Sequence, residues 1–171
     1  IRRSVLRVHA WYSSRMFKVS LEEFESFVQE GVEAIPEKFR SRIANVAFLA
    51  DDEPTSLQRQ ENKLRSDETL LGLYEGIPRP ARGEGYGGMV LPDRITIFKK
   101  PIEEEATLFL EEQFSNSIRS YTIATSENDS EEEFKKEVRR IVTDTVWHEV
   151  AHHFGLDEKT VERRERERER K

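Results

Sequence analysis

The chain has 171 residues, a net charge of −6, 36% charged content and no cysteine. That length suits one domain with a real core, and the missing cysteine excludes disulfides and thiolate metal sites, leaving His, Asp and Glu as protein ligands for zinc. With no apolar run of spanning length, no secretory signal and no basic patch in the folded part, we expect a cytoplasmic monomer with neither membrane nor nucleic acid as partner.

The first fifteen residues, IRRSVLRVHAWYSSR, carry four arginines and no acid. A transit peptide, an artificial leader or an upstream extension would each look like this, with Met16 as the native start. The expected organisation is a leader over 1–15 outside the fold, one domain over 16–161, and a Glu/Arg tail over 162–171.

Within the domain, Ser20 and Glu23 form a capping-box pattern ahead of Leu21, Phe24, Val28, Val32 and Ile35, which recur at helical spacing. Pro36 ends that helix, and Phe39 and Ile43 suggest a short second one. Asn45 to Ala50 is a strand-length apolar run stopped by Asp51 and Asp52. Residues 53–68 are polar and read as a mobile loop that could hold a helical turn. LLGLYEG, from Leu70 to Gly76, reads as a strand or extended segment, and a Gly/Pro/Arg-rich loop follows over 77–88. RITIF, from Arg94 to Phe98, reads as a strand of alternating outward and inward residues, broken by Pro101. A helix is expected over 103–114, then a polar linker over 115–129 with a brief strand at 120–124.

The last element carries the chemistry. HEVAHHFGLDE, from His148 to Glu158, contains HExxH, and three of the four histidines lie within 148–153. On a helix, Phe134, Val138, Ile141, Val142, Val146 and Val150 share one arc, with Lys136, Arg140 and Asp144 opposite. His148 and His152 fall about 40° apart at the rim of that arc, so both reach one metal ion, with Glu149 inside the arc beside them. Ser130 with Glu133 reads as the capping box that starts this helix, and Gly155 as its stop. Gly155 lets the chain turn and bring Asp157 or Glu158 back toward the metal. His153 points about 100° from His152 and reads as a core or supporting residue. The final Glu/Arg run lacks an apolar face to hold a distant third ligand.

LLGLYEGIP, LPDRITIF followed by a proline, and HEVAHHFGLDE together closely resemble the bacterial zincin-like metallopeptidase family, over about Phe17 to Glu158. The resemblance implies an α+β fold, a small mixed sheet packed on helices, with the HExxH helix near the C-terminus. It also implies one zinc ion. His148 and His152 match the histidine ligands, Glu149 the general base, and Gly155 the glycine of HExxHxxGxxH. The third-ligand position of that pattern falls on Glu158, a carboxylate here, with Asp157 the alternative. If neither serves, His9 or an acid elsewhere supplies the ligand, or two histidines and solvent hold the zinc. The methionine turn of metzincins is missing.

The activity so implied is hydrolysis of a peptide or protein substrate by a metal-activated water, with Glu149 taking the proton. Tyr74 is the side-chain candidate for the oxyanion, and the edge of LLGLYEG a place where an extended peptide would pair. The alternative is a zinc-binding or peptide-binding protein of the same fold with little or no hydrolytic activity.

Overall fold

A long helix near the C-terminus organises the molecule because its apolar stripe meets two other helices and the sheet. The structure is a computed structural model and describes residues 3–5, 17–83, 91–117, 127–161 and 163. In chain order the elements are strand β1 (Arg3–Val5), helix α1 (Leu21–Glu33), helix α2 (Glu37–Arg40), strand β2 (Val46–Asp51), helix α3 (Ser56–Glu61), strands β3 (Glu68–Leu70), β4 (Gly72–Glu75) and β5 (Asp93–Phe98), then helices α4 (Lys99–Ser117) and α5 (Glu127–His153).

Phe134, Val138, Ile141, Val142, Val146 and Val150 of α5 are all buried, as their spacing requires. They pack with Phe24, Phe27 and Val28 of α1, Ile102 and Ala106 of α4, and Leu71, Ile95 and Ile97 from the sheet region. Lys136 and Arg140 stand exposed on the opposite side of the helix. α5 begins at Glu127, so Ser130 lies inside the helix and does not cap it. A Ser-x-x-Glu spacing is local and cannot exclude an earlier start. At α1, Ser20 does act as N-cap, its Oγ accepting from Glu23 N at 3.1 Å, while the Glu23 carboxylate reaches Lys135 of α5 at 3.2 Å.

The sheet is small and mixed: β5 is its middle strand, parallel to β2 and antiparallel to β4. This is the α+β architecture expected of the chain. The expected alternation of β5 does not hold, because every residue but Arg94 is buried. Ile95 and Ile97 enter the main core, while Phe98 joins Leu70 and Leu73 in a second cluster closed by Leu64. A central strand covered on both faces loses its polar face.

The stretch expected as a mobile loop holds α3, started by a reciprocal capping box: Thr55 Oγ1 accepts from Gln58 N at 3.2 Å, and Gln58 Oε1 from Thr55 N at 3.0 Å. Pro101 sits in the first turn of α4, where its missing N–H costs no helical bond. That helix is longer at both ends than the expected 103–114. The strand expected at 120–124 lies outside the described residues, as does the charged tail apart from Arg163. Of the leader, Arg3–Val5 pairs antiparallel with Glu68–Leu70. Among the described residues, no helix is long and apolar enough to cross a membrane.

Candidate metal centre

The end of α5 builds the site by a sequence of local constraints. Gly155 N donates to His152 O at 2.9 Å and Leu156 N to Ala151 O at 3.0 Å, the paired bonds of a Schellman stop. That stop needs a left-handed residue, and Gly155 has φ +83°. A Cβ there would also stand 2.6 Å from Pro80 Cγ. The chain then starts a new helical turn over 158–161. Asp157 caps it, with Oδ1 accepting from Thr160 N at 2.9 Å, and Val161 anchors it in the core at 3% exposure. These bonds hold the Asp157 carboxyl below its ordinary range.

With Asp157 occupied as a cap, the next residue faces the histidines. Glu158 Oε1 lies 3.4 Å from His148 Nε2, and Glu158 Oε2 lies 3.2 Å from His152 Nε2. One donor atom from each of the three residues lies within 4.8 Å of the other two. Donors about 2.0–2.2 Å from a tetrahedral zinc stand about 3.3–3.6 Å from one another. The two carboxylate–imidazole distances are close to that spacing, and two imidazoles with a carboxylate are a donor set that zinc takes. His152 Nδ1 is 3.0 Å from the Leu156 carbonyl, which can only accept, so the proton sits on Nδ1 and Nε2 is left as the ligand atom. Burial holds the His152 imidazole below its ordinary range and keeps it neutral at pH 7. His148 is deeper, at 1% exposure.

Glu149 is wholly buried between the helix and β4. Its Oε2 accepts from Tyr74 N at 2.9 Å, while Oε1 is buried with no hydrogen-bond partner among the described residues. Burial pushes its carboxyl above the ordinary carboxylate range. β4 comes close enough only because Gly72 has no side chain: a Cβ there would lie 2.7 Å from Thr145 Cγ2 and 2.9 Å from Glu149 Cγ. Beside these groups opens a cleft of about 920 Å³, whose lining includes Tyr74, Pro78, Pro80, His152, Leu156 and Glu158.

A family model for zincin-like metallopeptidases matches residues 43–124 and 112–168. The chain belongs to this family. No curated protein matches it. For a zincin-like metallopeptidase a bound metal is expected, typically zinc, and His148, His152 and Glu158 are the group of three His or acidic residues, among those described, able to hold one.

One sequence expectation changes here. Tyr74 does not offer its hydroxyl to the cleft: that proton goes to Asp93 Oδ2 at 2.6 Å, and burial together with Asp93 holds the phenol well above its ordinary range. What Tyr74 gives the site is its backbone N–H. His153 stays apart from the three converging residues, as its angle on the helix requires, and is 0% exposed with Nδ1 3.3 Å from Asp93 Oδ2. His9 lies outside the described residues. Asp93 and Arg82 were missed altogether. The one sequence signal for Asp93 is a lone acid opening a strand whose later residues are mostly β-branched or aromatic.

Proposed function

We propose that this zincin-like metallopeptidase hydrolyses peptide bonds, with one zinc ion held by His148, His152 and Glu158 and with Glu149 as general base. The observation that carries the reading is the placement of Glu149. A carboxylate is sealed beside three converging donor atoms, with one oxygen fixed by Tyr74 N and the other without a partner among the described residues. A purely structural metal site has no use for such a group.

Zinc, when bound, acts as a Lewis acid toward water and the substrate carbonyl. The chain's residues do the rest. Tyr74 N–H fixes Glu149 Oε2 and leaves Oε1 to take the proton. Glu149 takes a proton from water as the water oxygen bonds the carbonyl carbon, then passes it to the departing amine nitrogen as the C–N bond breaks. Its raised proton affinity suits both transfers. The Leu156 carbonyl keeps the His152 tautomer. β4 is an edge strand of the three-stranded sheet, and pairing along it would present an extended peptide to the cleft.

The deciding experiment compares wild type with Glu149→Ala against a peptide library while measuring zinc in both. Cleavage by wild type alone, with zinc retained in both, supports the peptidase. Zinc bound by both with cleavage by neither leaves a metal-binding or peptide-binding protein.

A further inference from the structure

Next to the metal centre lies a second polar cluster, and its hub is Asp93 at the start of β5. Asp93 is 4% exposed. Its Oδ2 accepts the Tyr74 hydroxyl at 2.6 Å, forms an ion pair with Arg82, and lies 3.3 Å from His153 Nδ1. Its Oδ1 lies 3.4 Å from Ile77 N. A Cβ on Gly76 would fall inside the Asp93 carboxyl group, so the chain passes this close only as glycine. One carboxylate therefore meets β4, the turn after it, the far end of that loop, and the residue next to His152.

The segment held in this way serves the site twice. Tyr74 N–H fixes Glu149 Oε2, and Gly76, Pro78, Pro80 and Ala81 wall the cleft. Arg82 strengthens the wall by donating from Nε to Ile77 O at 2.9 Å, and Arg79 ties it to Arg42 O at 2.7 Å. Asp93 is not one of the three converging donors. A buried ion pair adds little net stability over well-packed apolar side chains. What this one supplies is direction, because each partner approaches the same carboxylate from a different element.

We propose that Asp93 is a positioning residue: by fixing Tyr74 and Arg82 it sets where Glu149 stands against β4 and how the 76–82 wall sits, without holding the metal. This rests on the peptidase reading for its kinetic consequence, but not for its structural one.

The test uses the full chain as wild type, as Asp93→Asn, which keeps the shape and removes the charge, and as Arg82→Lys, which keeps the charge and loses the Nε bond. Zinc titration, hydrogen exchange of backbone amides 74–82, and steady-state peptide cleavage are measured on each. We expect Asp93→Asn to bind zinc as wild type does and to exchange faster over 74–82 but not within α5. Its kcat should fall on the order of 10–100-fold, with a smaller change in KM. Arg82→Lys should fall between the two. Unchanged exchange over 74–82 in both variants overturns the proposal. So does a joint loss of melting temperature and zinc affinity with kcat per bound zinc intact, since that marks a structural role alone. If wild type cleaves no peptide while the exchange difference is present, the peptidase reading fails and the positioning of the segment by Asp93 is supported.

Discussion

The backbone N–H of Tyr74 is hydrogen-bonded to Glu149 Oε2 at 2.9 Å, across 75 residues of sequence. This bond joins the edge strand to the HExxH helix, and the other carboxylate oxygen has no partner among the described residues. The contact depends on a close approach of β4 to α5, and that approach can be tested by adding one methyl group.

Gly72→Ala places a Cβ 2.7 Å from Thr145 Cγ2 and 2.9 Å from Glu149 Cγ. Overpacking of this kind costs about 1–3 kcal/mol. Thermal melts should show that loss. Zinc affinity should change little, because the methyl meets Glu149 and Thr145 and not the ligands, whereas peptide cleavage should fall sharply. Equal losses of zinc binding and cleavage would place the strain on the whole helix end.

The two neighbouring acids after Gly155 should separate by experiment. Glu158→Ala removes the carboxylate that faces both histidines and should weaken zinc binding strongly. Asp157→Ala removes a cap instead and should lower the melting temperature, with a smaller effect on zinc. Zinc titration and melting curves on both variants check the pair. If Asp157→Ala were the more damaging to zinc binding, the assignment would shift by one residue.

How much of this was legible in the chain follows from the range of the interactions. The stripe on α5 and the stop at Gly155 are written within a few turns, so spacing alone gave the rim position of His148 and His152. Glu158 was legible as the third-ligand position with Asp157 as the alternative, because what separates the two is the Asp157 cap to Thr160. Burial of β5 on both faces and the helix inside 53–68 depend on neighbours distant in sequence or on a cap pattern that was overlooked. Asp93 was invisible for the same reason: its partners come from positions 74, 82 and 153.

Tyr74 gives a pH signature away from His148, His152 and Glu158. Burial and Asp93 raise its phenol above the unfolded value of about 10, so between the two values the folded chain holds a proton that the unfolded chain has lost. The stability it contributes is present below about pH 10 and declines as pH rises toward the folded value. Tyr74→Phe should lose about 1–3 kcal/mol at neutral pH and show a shallower alkaline decline. Ultraviolet titration of phenolate in the two proteins should assign to Tyr74 a step above the ordinary tyrosine range. A Tyr74 phenol ionising at the ordinary value would contradict its bond to Asp93.

The most direct measurement is zinc content per chain after metal loading and dialysis, on wild type, His148→Ala, His152→Ala and His153→Ala. The site described here predicts one zinc in wild type, none retained by His148→Ala or His152→Ala, and close to one in His153→Ala, whose imidazole lies against Asp93. Stoichiometric zinc in both His148→Ala and His152→Ala would contradict it.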